Sequence, residues 1–217
     1  MHIDYSAMMQ LSDWDEFNSL RGIKNEIWEE RMPKGLTTRI NIFKARFEIA
    51  ARLDSMTFSP EFGDGTTQAY LAGTKLLLAY SAGEALVRAE DLFRDRKPSS
   101  VSSWSISRAG LAKDLLPLAK LILDNADSHG NLNSSTKSFL AKFCVGTKSN
   151  VRPVATALRH VHAHGGLTAR NITGYGVNHA SGHAIAIDAL ALAMLEKCDE
   201  RFSLLFKDLS TRLIAKG

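Results

Sequence analysis

No aspartate or glutamate occurs between Ser128 and Ile187, although Lys137, Lys142, Lys148, Arg152, Arg159 and Arg170 all fall inside that span. Such a stretch welcomes a polyanion and offers a metal ion no carboxylate. The whole chain carries a formal charge of only +4 with a pI near 9.1, too little by itself to prove a nucleic-acid partner. The uneven distribution is the informative part, because it leaves the remainder slightly acidic. Cysteine is nearly missing as well. Cys144 and Cys198 lack metal-type spacing, which excludes a zinc ribbon and suits small buried hydrophobes in a reducing compartment; a disulfide between them stays open. Long apolar runs are absent too. The longest, from Ala184 toward Leu195, is interrupted by Asp188 and falls short of the roughly 20 residues a membrane span needs. The first residues, with Asp4, Asp13, Asp15 and Glu16, lack the basic start and apolar core of a signal peptide, so a cytoplasmic protein is expected. Neither Gly63-Asp64-Gly65 nor Gly174-Tyr175-Gly176 has the preceding strand and following lysine of a phosphate loop.

What is present is helical periodicity, with strand-like alternation nearly absent. At 217 residues and 23.8 kDa the chain can bury one substantial core, or one core with a small appendage. The expected fold is all-α. Trp14, Phe17, Leu20, Ile23 and Ile27 predict a first helix after a Ser12-Asp13 cap. Ile40, Phe43, Phe47 and Ala50 predict a second. The turn-forming stretch from Phe58 to Gly65 then marks a boundary between an N-terminal helical extension, residues 1–60, and a main bundle, residues 66–217. A broad apolar face from Thr66 to Arg94, carrying Leu71, Leu78, Ala82, Ala85 and Leu92 and widened by Leu77 and Leu86, predicts a central helix. Leu111, Leu115, Leu118 and Ile122 mark another, bent at Pro117. A shorter helix falls within 131–150. The stripe from Ile187 through Met194, Cys198 and Phe202 to Leu213 keeps three- and four-residue steps for about seven turns, as in a helix packed along a bundle or a dimer partner. Before it, a glycine-rich stretch from Gly165 to Gly182 reads as a loop.

The chemistry concentrates in Arg159-His160-Val161-His162-Ala163-His164-Gly165. On a helix over 151–164, Arg159, His160 and His164 share a face, and His162 points elsewhere as a bystander. Cleaving RNA without a metal requires a base for the 2′-hydroxyl proton, an acid for the leaving 5′-oxygen and a cation for the phosphoryl oxygens. Imidazoles and a guanidinium supply all three. One histidine does not readily serve both sides of one phosphorus, so a dimer that pairs two such sets is expected.

The run from Leu158 to Thr168, with four residues between Arg159 and His164 and His160 as the polar residue after the arginine, resembles the signature of HEPN domains, a family named for higher eukaryotes and prokaryotes nucleotide-binding. The resemblance implies an antiparallel α-helical bundle and a metal-independent endoribonuclease with a composite site across a homodimer. It implies Arg159 and His164 as catalytic residues with His160 orienting or assisting, and RNA as the partner, guided by Lys148, Arg152 and Arg170. It implies no cofactor and no metal. Ser81-Ala82-Gly83-Glu84-Ala85-Leu86 is similar to an early helix of such bundles, where Glu84 has a minor structural role. Some members are toxins with an antitoxin protein as partner. Those neutralised by tyrosine modification carry a Tyr two residues after the histidine, and Gly166 stands there instead.

Other readings compete. Arg159 and His164 also suit the end of a helix, where cations gain from the dipole. A non-catalytic HEPN-like module that binds nucleotide, RNA or a protein partner through the same cleft is the alternative function. Two histidine pairs at four-residue spacing, His160 with His164 and His179 with His183, have the geometry to chelate a metal, which the adjacent Arg159 would repel.

Overall fold

The computed structural model describes residues 10–57, 64–129, 132–146, 149–163 and 180–215. Within them the chain forms a packed helical bundle of eight α-helices: α1 Trp14–Ile23, α2 Asn25–Arg31, α3 Leu36–Arg52, α4 Asp64–Phe93, α5 Ala109–His129, α6 Ser134–Val145, α7 Arg152–Ala163 and α8 Ala180–Ile214. No described helix is long and apolar enough to cross a membrane. The expected all-α fold is thus present.

Helices α4 and α8, 30 and 35 residues long, are the axis of the bundle and pack on each other more extensively than any other pair. At 1.5 Å per residue they measure roughly 45 and 52 Å. Helix α4 is central because it is buried on several sides at once, by α3, α8 and α7. Its packing residues are largely small: Ala69, Ala72, Gly73, Ala79 and Gly83 let the neighbouring backbones approach. The breadth of the apolar face is as expected, but only Leu86 of its expected leucines is fully buried. Leu71, Leu77, Leu78 and Leu92 are half-buried, whereas Leu76 and Leu86 have no exposed surface. The stripe on α8 is buried throughout, from Ile187 to Leu213. That helix begins at Ala180, so the loop anticipated to reach Gly182 ends earlier.

The first apolar stripe is broken. Lys24 leaves helical geometry at φ −116° and ψ 33°, separating α1 from α2 and changing the register between them. Ile23 is consequently 81% exposed, and Trp28 takes the buried place. Asp13 makes no capping hydrogen bond; instead the backbone N–H and hydroxyl of Ser12 both donate to Asp199 on α8. Gly35, at φ +85°, turns the chain into α3 through a conformation other residues rarely adopt. Helices α1 to α3 enter the same core as the rest: the rings of Trp14, Phe17 and Phe43 all contact Phe202 of α8, at 5.6–5.8 Å between centroids. Helix α5 continues through Pro117, forgoing one backbone bond there.

The start of α7 is fixed by a clip. Ser107 and Asn150 form an antiparallel bridge, and the Asn150 side-chain oxygen accepts from the backbone N–H groups of both Ile106 and Arg152. The N–H of Val151 donates to Ile106. These bonds tie the segment before α5 to the first turn of α7 and so place every later residue of that helix.

Candidate functional site at the seam of α4 and α7

Helix α7 is strongly two-sided. Val154, Ala157, Leu158 and Val161 are buried in the core, while Arg152, Thr156, Arg159 and His162 recur along the side that meets α4. On α4 the facing residues are Gly73, Tyr80 and Glu84, again at helical spacing. Two polar stripes therefore meet in one seam.

At its centre the Arg159 guanidinium lies over the Tyr80 ring, 5.4 Å from the centroid, and its Nη2 is 3.2 Å from the Glu84 carboxylate. The hydroxyls of Tyr80 and Thr156 are hydrogen-bonded at 3.2 Å. Burial is the main cause that raises the Tyr80 pKa, with the neighbouring Glu84 carboxylate adding to it, so the phenol stays protonated and able to donate. Arg159 keeps 41% of its side chain exposed, and Glu84 27%. Only Nη2 of the guanidinium engages Glu84; its Nε and Nη1 donors have no protein partner among the described residues. His160, the next residue, is half-buried and engaged rather than free.

Three expectations change here. The absence of acids along the chain does not hold in space, because α4 delivers Glu84 to Arg159, a contact made across 75 positions of sequence. Glu84 is therefore a direct partner of the proposed working arginine. His162 does not point away from the side of α7 that carries Arg159. Three residues beyond Arg159, it remains on the same broad side one turn further on, and its ring sits directly on Gly73. A Cβ at Gly73 would lie 2.6 Å from His162 Cε1 and 2.8 Å from Nε2, so only glycine leaves room. The Nε2 atom is buried with no hydrogen-bond partner among the described residues, and burial holds the imidazole pKa below its ordinary value. Arg152, finally, is not a solvent-facing guide for a strand. It is 7% exposed, its head stacks 5.3 Å from the Phe139 centroid on α6, and burial lowers its pKa.

His164, Lys148 and Arg170 lie outside the described residues, as does His179. Among the described residues no group of three His, Cys, Asp or Glu side chains is placed to hold a metal ion. Each histidine pair weighed for chelation has one member outside that set. Cys144 and Cys198 are free thiols; Cys198 is buried and its pKa is pushed up by that burial.

The class that the fold defines is an all-α helical bundle, with a cationic and aromatic seam between its central helix and α7. Comparison of the chain with protein-family models, curated proteins and solved structures finds no match.

Proposed function

We propose that the chain is a metal-independent endoribonuclease of the HEPN type, acting as a homodimer. Arg159 stabilises the charge on the phosphorane, His164 transfers protons, and His160 positions the arginine or the phosphate. The observation that carries this reading is the state of Arg159: half-exposed, held in place by Glu84 and Tyr80, with Nε and Nη1 not engaged by any described residue. A guanidinium fixed to a carboxylate through one of its nitrogens is pre-organised, and its remaining planar donors suit a phosphoryl group. Tyr80 adds an aromatic surface beneath the guanidinium, its own hydroxyl being engaged with Thr156. In this reading Lys148 and Arg170 guide the strand, an attraction that weakens as salt rises. An antitoxin protein as partner belongs to the same proposal.

Cleavage of mixed RNA in the presence of a chelator tests it, with Arg159→Ala and His164→Ala beside the unchanged protein. Both substitutions should lower cleavage by at least about a hundredfold, the usual scale for losing a positioned acid, base or charge-stabilising donor. Equal cleavage by all three proteins overturns the assignment. Strand binding without cleavage in the unchanged protein would favour a non-catalytic binding module.

A further inference from the structure

The face of α6 beside the seam has a feature that cleavage chemistry does not use. Phe139 is 46% exposed, an uncommon state for a large aromatic ring in a bundle with an otherwise well-filled core. Two cations attend it: the Arg152 guanidinium at 5.3 Å from the ring centroid and the Lys142 ammonium at 6.0 Å. Lys142 is exposed, three residues along the same helix. Arg152 is the opposite, 7% exposed, with its Nε buried and unpartnered and with no carboxylate paired to it among the described residues. Burying a guanidinium without a counter-charge is costly, and proteins ordinarily supply an acid to offset it. Here α6 and α7 supply none, since both lie in the span that has no aspartate or glutamate. Asp124 of α5 acts on Cys144, five positions beyond Phe139 and on a different side of the helix.

We propose that Phe139, Lys142 and Arg152 form a stacking subsite for single-stranded RNA. An unpaired base packs against the exposed part of the Phe139 ring, and the adjoining phosphate is taken by Arg152 and Lys142. An aromatic ring flanked by cations accepts any base, because every base has a π-face, while the cations follow the backbone. A duplex is disfavoured, since its bases are already stacked and paired. The position is coherent with the seam. Arg152 and Arg159 are two turns apart on α7, roughly 10 Å along the axis, so a strand anchored at Phe139 can continue to Arg159. The inference rests on RNA being the substrate and names where the strand is held outside the reacting centre. It also assigns Arg152 a definite task, as a buried anchor for one phosphate.

The test separates binding from cleavage by using a 2′-O-methyl RNA of about eight nucleotides, which lacks the attacking hydroxyl and is of a length suited to one such site. Binding is followed by fluorescence anisotropy in chelator for the full chain and for Phe139→Ala, Phe139→Trp and Lys142→Ala. Phe139→Ala should weaken binding roughly tenfold, the scale of one lost stacked base, and Phe139→Trp should preserve it. Lys142→Ala should reduce the slope of log affinity against log salt by about 0.7, the value for one phosphate of a single strand. Thermal melts of the variants should match the unchanged protein because both side chains are exposed. Unchanged affinity in Phe139→Ala, or no binding by the unchanged protein, overturns the subsite. So does a Phe139→Ala protein that binds normally but sediments as a smaller species, which would make Phe139 a contact between copies of the chain. If Phe139→Ala loses binding while no protein cleaves unmodified RNA, the subsite stands and the nuclease reading fails.

Discussion

At the scale of single residues, the seam depends on two opposite solutions to crowding. Gly73 makes room for His162 by having no side chain, and the imidazole accepts a dry environment in return. That environment has a consequence for stability. Because burial lowers the His162 pKa below 6.5, the unfolded chain binds a proton at this ring more readily than the folded chain does. Folding stability should therefore be unaffected by this group above pH 6.5 and should fall as the pH drops through that value toward the lower folded-state pKa. Urea midpoints at about pH 7.5 and about pH 5.5 measure the loss, and His162→Gln, which removes the titration, should make it smaller. An equal acid loss in both proteins would place the effect elsewhere. Arg159 and His160 stand out in the sequence as candidates because the motif lies within one short segment. Glu84 was not recognisable as the partner of Arg159, since nothing local links a residue on α4 to one on α7. His162 was misjudged for the same reason: its neighbour Gly73 lies on another helix.

At the scale of elements, the long apolar stripes were readable and the short ones were not. Helix α8 carries its period for its whole length, so single irregularities cannot shift it. In contrast, α1 and α2 are 10 and 7 residues long, and the break at Lys24 was enough to turn Ile23 outward and Trp28 inward. The leucines of α4 misled for a related reason: a helix surrounded by neighbours has no single buried face, and its alanines and glycines mark the closest approaches. The pairing of α4 with α8 also includes a polar lock that periodicity does not reveal. Glu90, only 5% exposed, accepts from Nε and Nη2 of Arg201, and that guanidinium lies 5.3 Å from the Trp104 ring centroid. Removing the carboxylate leaves a partly buried cation unmatched. Glu90→Ala should cost about 3 kcal/mol in urea unfolding, the scale for breaking one half of a buried pair. A loss below about 1 kcal/mol would instead class the contact with exposed surface pairs.

At the scale of the whole molecule, Phe202 is the joint between the chain's beginning and its end. Its ring meets Trp14, Phe17 and Phe43 from α1 and α3 while sitting on α8. Phe202→Ala should therefore destabilise by roughly 3–5 kcal/mol, and the protein should still unfold in one step. Tryptophan fluorescence, with Trp14 and Trp28 in the first helices and Trp104 elsewhere, can be compared with far-ultraviolet circular dichroism. Coincident transitions are expected, and an early fluorescence change would show the first helices releasing separately. Composition and periodicity by themselves determined that the protein is helical, that one long helix closes the described chain, and that the cations between Ser128 and Ile187 are unaccompanied by local acids. Those properties follow from spacing along one strand of sequence, which helical geometry converts directly into faces. Only the tertiary structure decided that α4 lies at the centre, that Glu84 meets Arg159, that His162 rests on Gly73 and that Arg152 is buried against Phe139. Each rests on contacts between different helices, set by how side-chain volumes fit when the bundle closes, and no local pattern records that fit.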